Sequence, residues 1–304
     1  MSERVHDVVI VGGGPAGLIA ATYLARFRRS VLLVDAGQSR AASIPRSHNY
    51  PGFVDGISGV QLVASLREQA TRYDVACATG FVHALEGDIA QGFTARWAAG
   101  SARARLVLLA TGGSDIAPDM PYVADALREG ALRYCPVCDG FEVIDKPVGV
   151  LVNGADGIGE ALYLRHFTPR LTVFRTGFDV DLDDAARQRL ADAGIALQPH
   201  PVDSIRLWNG QAIVHHGDSD TAVDAVYSAL GMRIHSGLAR DLGAACDDSG
   251  YLRIDAHHRS TVEGVYAAGD VSLGLNQISV ASGGAAIAAS AMHLALRAGQ
   301  LASA

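Results

Sequence analysis

The same hydrophobic rhythm occurs twice along the chain. Val8-Val9-Ile10-Val11 is a continuous apolar run, as a parallel strand buried on both faces requires. An apolar-periodic helix through Phe27 follows, and then a second strand, Val31 to Val34. Val148 to Val152 begins the pattern again, with a helix through His166 and a strand from Leu171 to Phe174. Strand, turn, helix and strand in that order build a parallel sheet. Ser58 to Tyr73 carries Val60, Val63, Leu66 and Ala70 at helical period, and Ala78 to Leu108 reads as an antiparallel excursion of strands and turns. Asp181 to Ala193 predicts a charged amphipathic helix with a solvated face. Ser279 to Leu296 is a small-apolar stretch of helix length that includes Gly283, Gly284 and His293; without flanking interfacial anchors it predicts a buried helix and no membrane span.

The turn between the first strand and its helix carries the first chemistry. Gly12-Gly13-Gly14-Pro15-Ala16-Gly17 supplies Gly12 for a tight turn, Gly14 for close backbone approach to a pyrophosphate and Gly17 for helix–strand packing; Asp35 closes the second strand where a ribose hydroxyl would lie. At 304 residues, 49% hydrophobic and 19% charged, the chain suits two globular domains. A net charge of −7, with Lys146 the only lysine, argues against a nucleic-acid surface. Four cysteines exclude a secreted disulfide scaffold and suit a reducing, cytoplasmic compartment, and Val8 to Val11 is too short for a secretory segment.

Two of those cysteines stand in Cys135-Pro136-Val137-Cys138-Asp139-Gly140, where the spacing reads as a redox pair. Pro136 suits the first position of a helix, which would set Cys135 at the helix N-terminus where a thiolate is favoured. Asp139 is placed to carry protons as the disulfide opens. Zinc would need two further ligands, and Cys77 and Cys246 stand alone, so no metal is expected. The doublets His215-His216 and His257-His258 would each offer at best one ligand per strand face and read as surface positions.

Leu108-Leu109-Ala110-Thr111-Gly112 and Val265-Tyr266-Ala267-Ala268-Gly269-Asp270, together with the Cys-X-X-Cys-Asp motif, resemble the FAD-dependent pyridine nucleotide-disulfide oxidoreductases, and the low-molecular-weight thioredoxin reductases in particular. The resemblance covers nearly the whole chain. It implies an α/β fold of two Rossmann-like domains with three-layer parallel sheets, the second inserted in the first: residues 1–115 and 245–304 for FAD, and 116–244 for an NAD(P)-binding-like domain carrying the redox pair. It implies that Asp270 binds the FAD ribityl chain, that Asn49, ahead of Pro51-Gly52, faces the flavin, and that Gln277 and Ile278 open the last helix beside it, with Asn276 where the family has Arg. It further implies that Cys138 faces the flavin, that Cys135 exchanges with a substrate disulfide, and that the protein is a homodimer. Gly112 and Gly113 are hinge candidates, with the crossings expected near Gly113–Ala117 and Leu242–Gly250.

The second turn departs from that pattern. Asn153, Ala155 and Ile158 stand where the family has small residues, so Asn153 is expected to take a turn that glycine takes freely, and a side chain at Ala155 to obstruct a pyrophosphate. The family's basic NADPH motif falls on Arg175-Thr176-Gly177 with one arginine, too few for firm 2′-phosphate selectivity. The expected activity is thiol–disulfide exchange between FAD, the dithiol and a thioredoxin-like protein or small disulfide or dithiol. NADPH, NADH, a ferredoxin-like donor, and oxygen as acceptor in a dithiol oxidase remain the alternatives for the other half-reaction.

Overall fold

The computed structural model describes residues 5–177, 182–272 and 274–302, and two compact units emerge. The first comprises Met1–Ala42, Ser58–Ser114 and Arg233–Ala304, the second Ser43–Ile57 and Asp115–Met232.

The first unit is built on a seven-stranded sheet. The apolar strand Val5–Val11 lies between Val31–Asp35 and Gly100–Leu109, parallel to both. On its other edge the ten-residue strand Gly100–Leu109 pairs twice: its first half pairs antiparallel with Gly92–Trp97, which forms a hairpin with Val82–Asp88, and its last three residues pair in parallel with Val265–Ala267. The expected antiparallel excursion is this hairpin. Helix Gly59–Thr71 begins on Ser58, whose Oγ accepts the Gln61 amide.

Helix Pro15–Arg26 packs against the last helix, Ile278–Ala302, through Leu18, Ala20, Ala21 and Leu24 on one side and Ala281, Ala285, Ala288, Ala289 and Met292 on the other. Small side chains at these positions let the helix axes come close. Residues Ile278–Ala298 are long and apolar enough to cross a membrane by composition, with a mean hydropathy of 1.4. One face, with Ala281, Ala285, Ala288, Ala289 and Met292, is core, while Val280, Ile287 and Leu294 are exposed, so the helix is half-buried where the pattern predicted a buried one.

The second unit has a five-stranded parallel sheet in the order Ala196–Leu197, Leu171–Arg175, Val148–Val152, Ala225–Ala229, Leu132–Arg133. Beside it lies an antiparallel sheet of Ser204–Trp208, Gln211–His216 and Ser219–Val223. The amphipathic helix spans Asp184–Asp192, capped by Asp183, and Asp181 lies outside the described residues.

The units differ from the expected ranges in two places. The second crossing falls at Met232/Arg233, ahead of Leu242–Gly250, because His235 bonds the Thr111 and Gly112 carbonyls and helix Gly237–Asp241 buries Ala239. Ser43–Ile57 groups with the second unit. The crossing segments Gly113–Asp115 and Met232–Ile234 pair with each other as a two-stranded ribbon. Of the histidine doublets, His216 is buried, with its Nε2 on Thr221 Oγ1 and its ring beside Phe174, and His258 sits in a turn at φ +61°. The surface reading therefore fails for His216, and the strand geometry does not apply to His257-His258. Among the described residues no His, Cys, Asp and Glu cluster is placed to hold a metal.

Replacing Ala288, which is fully buried in the helix–helix core, with leucine is expected to overpack that contact and cost about 1–3 kcal/mol. Thermal unfolding followed by circular dichroism checks this, and an unchanged melting temperature would mean the two helices can part without loss.

Candidate active site

In the first unit the glycine turn, the Ala-Thr-Gly segment and the Gly-Asp segment meet. Gly12 has φ +108°, and a Cβ there would lie 2.2 Å from the Ala110 carbonyl oxygen. A Cβ on Gly17 would lie 1.9 Å from the Gly12 oxygen. Gly13 is equally closed: its amide donates to Asp35 Oδ1 at 3.1 Å, and a Cβ would strike the same carboxylate. Gly269 approaches the Ala16 methyl, at 3.0 Å from its own ideal Cβ, and the Ala268 amide donates to the Leu109 carbonyl at 3.1 Å. Main-chain oxygens therefore fix the glycines at 12 and 17, and the Asp35 side chain fixes the one at 13.

Gly14 differs. It caps the helix without a side-chain bond, Pro15 follows at the first helical position, and only Ser39 Oγ lies within 4 Å of where its Cβ would be. The open face lies in front of a twelve-residue helix whose first amides have no side-chain acceptor, which fits a pyrophosphate. Around this turn Asp35 pairs with Arg67 and also accepts the Gly37 amide, and Asp270 pairs with Arg40 at 3.3 Å. Gln277 precedes the last helix and accepts the Ala281 amide, with Ile278 as its first residue. Thr111 Oγ1 donates to the His235 carbonyl at 2.7 Å, and His235 Nε2 reaches Ser114 Oγ at 3.0 Å. Arg67 and His235 are site neighbours that motif reading missed, because each lies far in sequence from the residue it serves. These residues fit FAD.

In the second unit Cys135 and Cys138 are bonded, with Cα atoms 5.2 Å apart. Cys135 caps the four-residue helix Pro136–Asp139, and its Sγ accepts the Cys138 amide at 3.1 Å. Pro136 takes the first helical position, as expected. The helix is a single turn, so the Cys138 amide rather than a long macrodipole is the group placed to favour a thiolate at Cys135 once the disulfide opens. Close packing sets the next turn: a Cβ on Gly140 would lie 2.7 Å from the Phe167 ring. Asn49, in the Ser43–Ile57 segment, donates to the Val137 carbonyl at 3.3 Å, which joins it to the dithiol turn.

Asp139 lies between two donors. Arg133 Nη1 binds Oδ2 at 2.7 Å and Tyr227 Oη binds Oδ1 at 2.7 Å. Burial pushes the Asp139 carboxyl above its ordinary value, and Arg133 and Tyr227 draw it only part of the way back. Tyr227 carried no motif; the one signal was a phenol inside the fully buried strand Ala225–Ala229.

The second glycine turn is built differently from the expectation. Gly154, not Asn153, takes the left-handed conformation, at φ +110°. Gly157 supplies the close packing, with an ideal Cβ 2.9 Å from the Ala229 oxygen, and Ile158 is fully buried in the core. Asn153 is unstrained and accepts a bond from Thr176 Oγ1 at 3.2 Å. The α-helix starts only at Ile158, after a 3₁₀ turn over Ala155–Gly157. Arg175 is 9% exposed and donates to the Pro199 carbonyl.

The sequence matches the pyridine nucleotide-disulphide oxidoreductase family over residues 6–285. It is 32% identical to a thioredoxin reductase of Treponema pallidum (strain Nichols) over 300 residues, covering 95% of this chain and 96% of that protein. Among solved structures, HlmI superposes with a TM-score of 0.90 at 30% identity, covering 99% of this chain and 97% of its own. The thioredoxin reductase of Streptococcus pyogenes MGAS5005 superposes with a TM-score of 0.88 at 28% identity, covering 98% and 100%. Agreement over nearly the full length, in fold and in sequence, makes the chain a member of the pyridine nucleotide-disulphide oxidoreductases and an FAD-dependent disulfide oxidoreductase of the thioredoxin reductase type.

Proposed function

We propose that this enzyme exchanges electron pairs between FAD and a thioredoxin-like protein or small disulfide through Cys135 and Cys138, and that NADPH is not its principal donor. Bound FAD supplies a two-electron donor and acceptor. The Cys135 thiolate, favoured by the Cys138 amide, attacks a partner disulfide, forming a mixed disulfide and releasing one partner thiolate. The Cys138 sulfur then attacks Cys135, restoring the internal disulfide and releasing the second thiolate. Asp139 delivers the proton that a leaving thiolate takes up, and receives it back in the reverse direction. The names of the relatives support a thioredoxin-like partner, and a dithiol that must be re-reduced suits the cytoplasm.

The observation that carries the reading against NADPH is Arg175. Its guanidinium is buried on a main-chain carbonyl, so the one arginine of the basic motif does not face outward to a 2′-phosphate. Glu160, in the first turn of the helix after the second glycine turn, agrees with this. Burial first, and Asp115 second, push it up to about 7, and its Oε2 is buried without a hydrogen-bond partner. An acidic residue there is unfavourable for a pyrophosphate.

An anaerobic titration watching the flavin band decides the donor. Stoichiometric NADPH or NADH is expected to leave the band, and dithiothreitol to bleach it; prompt bleaching by either nicotinamide would overturn the reading. Once the dithiol has bleached it, return of colour on admitting oxygen as fast as the enzyme turns over its dithiol identifies an oxidase, while bleaching by a reduced ferredoxin-type protein identifies a protein donor. In Cys138→Ser a partner disulfide is expected to remain trapped on Cys135 and to appear as added mass, whereas Cys135→Ser traps none.

Glu160 also gives a stability test. Its folded value of about 7 lies above the ordinary 4.5, so across that window the folded state binds more protons than the unfolded state and stability falls as pH rises. Glu160→Gln is expected to flatten this loss in denaturant titrations; a slope unchanged from the parent protein would show that Glu160 ionises freely.

A further inference from the structure

We infer that Arg133 and Tyr227 are positioning residues that clamp the Asp139 carboxyl and set the pH at which it gives up its proton to the dithiol. The inference rests on the roles proposed above for Cys135, Cys138 and Asp139.

The clamp is built by the sheet. Leu132–Arg133 and Ala225–Ala229 are parallel neighbours, and Arg133 stands opposite Tyr227 in register. One donor from each strand reaches a different carboxyl oxygen, Arg133 Nη1 to Oδ2 and Tyr227 Oη to Oδ1, both at 2.7 Å. Turning the carboxyl would break both bonds at once. The donors are themselves fixed. Arg133 Nε donates to the Gly130 carbonyl at 3.0 Å, the Tyr227 ring is fully buried, and its hydroxyl also lies 3.2 Å from the Asp139 main-chain oxygen. Burial and the neighbouring Asp139 charge hold the Tyr227 phenol well above its ordinary range, so it stays a donor throughout.

The remaining charged group facing Asp139 is Glu142, whose Oε2 is buried without a hydrogen-bond partner and whose charge opposes ionisation of Asp139. Two opposed sets therefore act on one proton. Burial and Glu142 retain it, and Arg133 and Tyr227 release it. A phenol needing any acceptor in a core could be satisfied by a main-chain carbonyl alone. Here it takes the carboxyl oxygen at the shorter distance, opposite a guanidinium on the other oxygen.

Opening the disulfide with dithiothreitol is balanced without further reactants: its two thiols become a disulfide, and the Cys135–Cys138 bond takes up the two electrons and two protons. The test measures that rate on the full-length, FAD-loaded protein across about pH 5 to 9, quenching with iodoacetamide and reading the alkylated sulfurs by mass. The reductant's own titration is common to all variants. Asp139→Asn identifies the limb of the profile due to Asp139 by removing it. Tyr227→Phe, which keeps the ring and deletes one donor to the ionised form, is expected to move that limb upward by about one pH unit. Arg133→Gln is expected to move it upward as well, and Arg133→Lys, which keeps the charge without the planar fork, to move it less. Should Arg133→Gln fail to fold, the Phe and Lys variants decide. Limbs that superimpose on the parent profile in Tyr227→Phe and Arg133→Lys would overturn the clamp while leaving Asp139 as proton carrier. A profile unchanged in Asp139→Asn would overturn the role of Asp139 itself.

Discussion

The first unit depends on two carbonyl oxygens and the absence of two side chains. The Gly12 oxygen occupies the space where a Cβ on Gly17 would lie, and the Ala110 oxygen occupies the space where one on Gly12 would lie. Strand, helix and the Ala-Thr-Gly segment can converge only because those atoms are missing, and their convergence leaves the helix N-terminus open at Gly14. Everything that frames the cradle follows from this approach. Gly269 settles against Ala16, Asp35 receives the Gly13 amide, and the last helix closes over the first through its alanines.

The second unit starts from the same topology and reaches a different end. Its left-handed glycine is Gly154 and its packing glycine is Gly157, and a 3₁₀ turn intervenes before the helix. The strand-to-helix geometry is retained, but the arginine of the basic motif is turned inward. What remains well built in that unit is the other edge of its sheet, where Leu132–Arg133 leads directly into the dithiol turn.

Much of this was legible in the sequence wherever function coincides with local pattern. The continuous apolar strands, the glycine spacing of the first turn, Pro136 after Cys135 and the Ser58 helix start each rest on a neighbouring residue, and each was found. The misses have physical causes. At the second turn the expectation placed the left-handed residue at Asn153, one position ahead of the glycine that takes it, because the first turn's spacing was carried over to a turn that inserts a 3₁₀ segment before its helix. Arg133 and Tyr227 meet at Asp139 only through strand register, and His235 reaches the Ala-Thr-Gly segment across the inserted unit's whole length of chain. The stretch Ser279 to Leu296 predicted a buried helix, but which of its faces would be core was set by the packing of Ala281, Ala285, Ala288, Ala289 and Met292 against the distant helix Pro15–Arg26.

The cap at Cys135 has a thermodynamic consequence. One amide, from Cys138, donates to the same sulfur that alternates between disulfide and thiolate. A hydrogen bond to a thiolate is stronger than one to a neutral sulfur, so the turn holds the reduced, ionised pair more firmly than the oxidised one. In the exchange proposed above, the part of this preference that exceeds the cap's interaction with the disulfide sulfur raises the reduction potential of the pair. Helix capping, ordinarily a matter of local stability, here becomes part of the driving force for electron transfer.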